Sequence, residues 1–203
     1  MSDCGCGSDQ AEQLERKTLI VLSVINAVMF LAEIILGWIA ESTGLIADSL
    51  DMLADAGVYG LSLYVVGRGI QKQSRAASIS GVLQIILGAS VLLEVLRRFL
   101  FGSEPESILM MTVGFVALVA NVYCLMLIAR HRDAGVHMRA SWIFSANDVI
   151  ANLGVIISGG LVWYFGSRYP DLIVGAIISA VVVGGGIKIL NEAKNAKEAH
   201  IGA

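Results

Sequence analysis

The sequence predicts an all-α integral membrane protein of six transmembrane helices, and three observations carry that prediction. Of its 203 residues 56% are hydrophobic and only 15% charged, against about 25% charged in ordinary soluble domains. Only two prolines interrupt the chain. Cutting at the polar breaks leaves six apolar stretches, at residues 18 to 40, 45 to 67, 78 to 101, 107 to 129, 141 to 165 and 171 to 190. Each has about the 20 residues that a helix needs to cross a hydrocarbon core of about 30 Å. The short alternating segments of a membrane barrel are missing from the pattern.

The opening stretch MSDCGCGSDQAEQLERK is too polar and acidic for a secretory signal, so the first apolar stretch is expected to stay as a span. Residues 1–17 then form a tail, residues 18–190 the six-helix transmembrane domain, and residues 191–203 a short second tail that extends the last helix before fraying. One side of the membrane collects Arg16, Lys17, Arg68, Lys72, Arg75, Arg130, Arg132, Arg139, Lys188, Lys194 and Lys197, the other Arg97, Arg98 and Arg168. The positive-inside rule therefore puts both termini in the cytoplasm of a multi-pass cell-membrane protein. Arg97 and Arg98, at the end of the third span, are expected to snorkel outward to head groups. A net charge of −3 argues for neither nucleic acid nor a polybasic membrane anchor.

Taken in order, most spans carry one polar feature apiece. The first holds Asn26 and Glu33, the third Gln84 and Glu94, and the fourth Asn121 and Cys124. The amides are expected to act as interhelical hydrogen-bonding glue and Cys124 as a small packing residue. Glu33 and Glu94 read equally as proton-bearing or interfacial groups. Cys4 and Cys6 in the tail do not make a disulfide framework.

The second span is different. In GLIADSLDMLADAG, Asp51 and Asp55 lie four residues apart and so share one helical face, with Asp48 nearly on it. Even on the lenient insertion scale an ionised carboxylate at the bilayer centre costs about 3 kcal/mol. A bound cation, bound protons or a basic partner must compensate it. Lys and Arg, like His131, His137 and His200, sit only at or beyond the ends of the spans, which leaves metal or protons competing for the same oxygens.

Asp148 in the fifth span, amid Ser141, Ser145, Asn147 and Asn152, supplies another acid. Small residues are expected to bring the spans together: Ala54, Ala56, Gly57 and Gly60 on the second, and Ala146, Ala151, Gly154, Ser158, Gly159 and Gly160 on the fifth. Asp51, Asp55 and Asp148 would then offer three oxygens to one divalent cation, with Ser145, Asn147 or water as a further donor. For Asp48, coordination, capping, hydrogen bonding behind the ligands and lining a water-filled path all stay open. Nothing resembles an enzyme: there is no Ser/His or Cys/His arrangement within a span, no phosphate loop beside a strand and no HExxH.

The run from Ser42 to Asp55, STGLIADSLDMLAD, resembles the second transmembrane helix of the cation diffusion facilitator family, S-x-x-L-x-A-D-x-x-[HD]-x-x-x-D. Further features recur in order: Glu33, the LEVLRR run Leu93 to Arg98, Asn121, the RASW run Arg139 to Trp142, and Tyr169-Pro170-Asp171. The resemblance covers nearly the whole chain. It implies a homodimeric exporter of a divalent metal, commonly zinc, in exchange for protons, with [HD]xxxD on the second helix and HxxxD on the fifth as the transport site. By position these are Asp51 and Asp55, then Phe144 and Asp148.

Phe144 departs from the pattern, because phenylalanine cannot coordinate a cation. Without imidazole the remaining protein donors are oxygens, which lean toward harder ions, so Zn2+, Fe2+, Mn2+, Co2+ and Cd2+ all stay open. The cytoplasmic domain that many relatives carry after the sixth helix is not expected in the residues that remain, so a homodimer would form through the transmembrane helices. Cys4 and Cys6 would capture a soft metal or serve as a reduced pair of thiols. Two alternatives stand beside transport of a divalent metal: a non-transporting metal-binding sensor, and a transporter of monovalent cations or protons alone. Replacing Phe144 by histidine (Phe144→His) should move the ranking in a metal-panel binding assay toward zinc; an unchanged ranking would mean that position 144 does not face the site.

Overall fold

The computed structural model describes residues 6–65, 70–129 and 136–201, with the side chains of 6–15, 62, 65, 70–73, 136–144 and 196–201 outside the description. Cys4, Arg68, Arg130, Arg132 and the side chains of Cys6, Lys72, Arg139, Phe144 and Lys197 thus lie outside the described residues. Six helices follow one another: α1 (Cys6–Ile39), α2 (Thr43–Val65), α3 (Ile70–Phe101), α4 (Ser107–Ala129), α5 (Val136–Phe165) and α6 (Tyr169–Ile201). α1 is helical from Cys6, well before residue 18, because Ala11, Glu12, Gln13 and Leu14 are good helix formers. α6 likewise continues to Ile201.

Among the described residues five helices are long and apolar enough to cross a membrane, over Arg16–Ile39, Ser74–Phe101, Ser107–Ala129, Ser145–Phe165 and Tyr169–Asn195. α2 is not among them, although six equivalent apolar spans were expected. Its 23 residues contain Asp48, Asp51 and Asp55, which dilute its apolar character without shortening it: at 1.5 Å per residue it is about 35 Å long. It packs against all five other helices, most extensively α1 and α3. Many large apolar side chains of the others, such as Val28, Leu31 and Ile35 on α1, point outward, as lipid contact requires.

Three short turns close one end of the bundle. Between α1 and α2, Ser42 N donates to Gly37 O (3.0 Å) and Glu41 N to Trp38 O (3.2 Å), the double bond of a Schellman cap. Its left-handed position is held by Glu41 (φ 47°) rather than glycine. The Glu41 carboxylate accepts from Glu104 N at 2.9 Å, and Glu106 N donates to Ala40 O at 2.8 Å, so this turn also fixes the α3–α4 loop.

The start of α2 is capped twice. Ser42 Oγ accepts from Leu45 N at 3.1 Å, the N-cap bond of its own helix. Asp171, at the start of α6 and fully buried, accepts from Thr43 N (2.6 Å), Gly44 N (2.9 Å) and the Ser42 hydroxyl (2.7 Å). A carboxylate there meets both the free N–H groups and the positive end of the helix dipole.

The glycines of the expected small-residue seam between α2 and α5 face other helices. A Cβ on Gly57 would meet Leu83 of α3, on Gly60 Ser23 of α1, on Gly154 Val174 of α6, and on Gly159 Met110 and Met111 of α4. Backbones come close instead between α3 and α6, the most extensively packed pair among the described residues. A Cβ on Gly81 would lie 2.8 Å from Gly186 O, and one on Gly186 2.7 Å from Gly81 O, so neither position has space for a side chain. Ser179 Oγ to Gly88 O (2.6 Å) and Ser74 Oγ to Ala193 O (2.7 Å) pin the same pair.

Two apolar clusters fill the interior. One joins Leu45 and Ala47 of α2 with Val91, Met110, Val113, Val155 and Ile178; the other joins Leu19, Leu22, Tyr59, Cys124 and Ile128. Between them along the chain lie the polar residues Asn26 and Glu33 of α1, Asp48 to Asp55 of α2 and Asn121 of α4. The core is therefore a polar layer between two apolar ones.

Asp171→Ala should remove about 2 kcal/mol or more, read as a lower thermal unfolding midpoint of the purified protein, and Asp171→Asn, which keeps an acceptor, should lose less. An unchanged midpoint for the alanine variant would contradict the capping role.

Candidate metal centre

The sequence places Asp51 and Asp55 one turn apart on α2, and the fold brings Asp148 of α5 to them. The Asp55 and Asp148 carboxyls lie in hydrogen-bonding contact, and Asp51 is close enough to both to interact with their charges. Asp55 and Asp148 are 4% and 6% exposed, Asp51 half-buried. The Tyr59 hydroxyl, one turn beyond Asp55, donates to Asp55 Oδ2 at 3.4 Å. Among the described residues no three His, Cys, Asp or Glu side chains form a ready-made cage for a metal ion. The three carboxyls share one region without closing as a coordination shell.

Asp48 is also close enough to Asp51 and Asp148 to interact with their charges. It is buried (1% exposed), its Oδ1 accepts from Asn152 Nδ2 at 3.4 Å, and its carboxyl is in hydrogen-bonding contact with that of Glu33 on α1. The same Asn152 nitrogen donates to the Asp148 backbone carbonyl at 2.7 Å, so one amide bridges α2 and α5. Ser145 is buried and its hydroxyl has no partner among the described residues, while Asn147 is half-buried.

Several expectations for the polar residues change. Asn26 does not bridge helices: its Nδ2 donates to Leu22 O of its own helix at 2.9 Å, the local bond that a short amide makes readily. Glu94 is settled as an ion-paired group near the end of α3, accepting from Arg97 Nε (2.8 Å), Arg97 NH2 (2.7 Å) and Arg98 Nε (2.6 Å). Arg97 reaches outward as expected, but the Arg98 side chain is only 3% exposed, because Glu94 holds it inward.

Tyr59 and Cys124 were missed as neighbours of the acids. Tyr59 was legible, since it follows Asp55 by four residues on the same face. Cys124 packs with Tyr59 in the second apolar cluster and is near enough to Asp55 and Asp148 to interact with their charges. It comes from α4, and no spacing in the sequence connects it to α2.

The carboxyl group of oxygens has the chemistry of a site for a doubly charged cation: acceptors only, buried, and on two helices. Among the described residues none of these acids forms an ion pair with a basic residue; the ion pairs at Glu94 lie elsewhere, on α3.

Comparison with known proteins points the same way. Residues 19–195 match the cation efflux transmembrane domain family. Similar proteins include the zinc transporter ZitB of Yersinia pseudotuberculosis, 21% identical over 189 residues that cover 87% of this chain and 61% of the relative. The cadmium, cobalt and zinc/H(+)-K(+) antiporter of Bacillus velezensis is 21% identical over 202 residues, 93% of this chain and 64% of the relative. The proton-coupled zinc antiporter SLC30A2 of Mus musculus is 24% identical over 220 residues, 94% of this chain and 59% of the relative. The chain spans less than two thirds of the length of these relatives.

Proposed function

Because the chain belongs to the cation efflux family, the cation diffusion facilitators, we propose that it exports a divalent metal cation across the cell membrane in exchange for protons, with both termini in the cytoplasm. The observation that carries this reading is the convergence of Asp51, Asp55 and Asp148 from α2 and α5 in a polar layer without a basic partner among the described residues. The functions for which the relatives are named, transport of zinc or of cadmium, cobalt and zinc, in two cases with proton coupling, support it.

In this mechanism the three carboxylates bind the cation from the cytoplasm once they have lost their protons. Ser145 and Asn147 are the nearest additional oxygen donors on α5. When the bundle opens to the other side, protons reclaim the oxygens and the metal leaves. Tyr59 and Asn152 orient the carboxyls from behind, holding Asp55 and the backbone of Asp148. Carboxylate, hydroxyl and amide oxygens accept Zn2+, Fe2+, Mn2+, Co2+ and Cd2+, with a lean toward the harder of them. The working unit in this reading is a homodimer through the transmembrane helices.

Metal binding to the purified protein and flux into proteoliposomes test the reading together. Asp51→Ala, Asp55→Ala and Asp148→Ala should each weaken divalent-metal binding by about tenfold or more, the loss usual for a disturbed ligand set. Binding by the wild type should weaken as pH falls, since protons and metal compete for the same oxygens. An imposed proton gradient that drives no divalent-metal flux would overturn the exchange scheme. Binding without flux would instead favour a sensor, and no divalent binding at all a monovalent-cation or proton transporter.

A further inference from the structure

Two helix pairs are each held at more than one level. α1 and α2 meet at Gly37, where a Cβ would lie 3.2 Å from Ile46 N, and again where Ser23 Oγ donates to Ala56 O at 3.1 Å. α3 and α6 meet at Gly81 and Gly186, at Gly88 and Ser179, and at Ser74 and Ala193. α2 touches the second pair differently along its length. At its start, Asp171 of α6 accepts from Ser42 Oγ, Thr43 N and Gly44 N. A Cβ on Gly175 of α6 would lie 2.8 Å from Thr43 Cγ2 and 3.1 Å from the Thr43 carbonyl carbon, so the position has no space for a side chain. Further along α2, a Cβ on Gly57 would meet α3 only at Leu83 Cδ2, at 3.6 Å, an ordinary contact with the end of a flexible side chain.

Parting the two levels has different consequences. Ser42, Thr43 and Asp171 are fully buried. Pulling the start of α2 off α6 would strip a carboxylate of three donors and leave helix N–H groups unmet away from water. Apolar faces lower down part more readily, because lipid gives helices no hydrophobic drive to stay together. Glu41 and the Ala40 carbonyl also hold the α3–α4 loop to this turn.

We propose that the joint of Ser42, Thr43, Asp171 and Gly175 stays closed throughout the transport cycle and is the pivot on which the α1–α2 pair tilts against the α3–α6 pair. The proposal rests on the transport reading above. At 1.5 Å per residue Asp51 and Asp55 lie about 12 and 18 Å along α2 from Thr43, so a tilt of about 5° moves them sideways by about 1 and 1.6 Å. Ligand distances at a metal site tolerate only about 0.2 Å. A small tilt is therefore enough to make or spoil the cation site with no bond broken at the joint. The boundary between α2 and α5, polar at this depth, takes up the displacement.

Cysteine pairs in the full chain, assayed for zinc flux in proteoliposomes, test this, with the wild type treated identically to correct for its own thiols. A Cβ at position 175 would lie 3.1 Å from that of Thr43, slightly inside the about 3.5–4.5 Å of a disulfide, so Thr43→Cys with Gly175→Cys should close on mild oxidation. Its flux should stay within about twofold of the reduced form. Gly57→Cys with Leu83→Cys, bridged by a short bifunctional maleimide, should lose flux about tenfold or more. A 43–175 bond that stops flux until it is reduced, or a 57–83 bridge that leaves flux unchanged, would overturn the pivot. Spin labels provide a readout that needs neither double variant nor flux. In the metal-free protein, labels at the exposed positions Trp38 and Phe101, beside the joint, should give one narrow distance. Labels at the exposed Tyr64 and Ile79, towards the other end of the pairs, should give a distribution at least about twice as broad. Equal widths would contradict the pivot. If the wild type moves no divalent metal, the transport reading fails, while the spin labels still judge the pivot on its own.

Discussion

A carboxylate placed among apolar helices must be given positive charge or donors, or it will not stay there as an anion. This chain meets that constraint in different ways at different depths. Asp171 is met by the N–H groups at the start of α2, and Glu94 by two arginines near the end of α3. Both are permanent arrangements at helix ends. The acids in the middle, Glu33, Asp48, Asp51, Asp55 and Asp148, have no such counter-charge among the described residues. The proposed transport cycle uses that difference, with protons and metal taking turns at these acids.

The packing fits the same division. α3 and α6 meet backbone to backbone at Gly81 and Gly186 and are pinned by serine hydroxyls. α2 is anchored at its first turn by Asp171 of α6. α2 and α5 share the apolar cluster at Leu45, Ala47 and Val155, but further along they meet through polar side chains, Asp48 to Asn152 and Asp55 to Asp148, with Gly57, Gly60, Gly154 and Gly159 turned to other neighbours. A boundary made of hydrogen bonds and carboxyls changes its affinity when protons or a cation arrive. Interlocked backbones do not respond in this way.

The helices were legible because apolar runs of membrane-spanning length leave little choice of structure, and the faces of α2 were legible because a period of 3.6 puts residues 51, 55 and 59 together. What sequence reasoning could not supply was which small residues face which helix. Gly57, Gly60 and Gly154 looked like one α2–α5 seam, but small residues permit close approach without naming the partner. The role of Asp171 was hidden for a related reason: its partners are backbone N–H groups more than a hundred positions earlier, which no side-chain pattern records. Cys124 and Glu33 approach the acids from α4 and α1, and only the fold brings them there.

The central claim is that carboxylate oxygens from α2 and α5 hold the cation. X-ray absorption spectroscopy of the zinc-loaded protein reads the ligand atoms directly. The account predicts a first shell of oxygens at about 2.0–2.2 Å. A sulfur scatterer at about 2.3 Å, or the outer-shell pattern of imidazole, would contradict it.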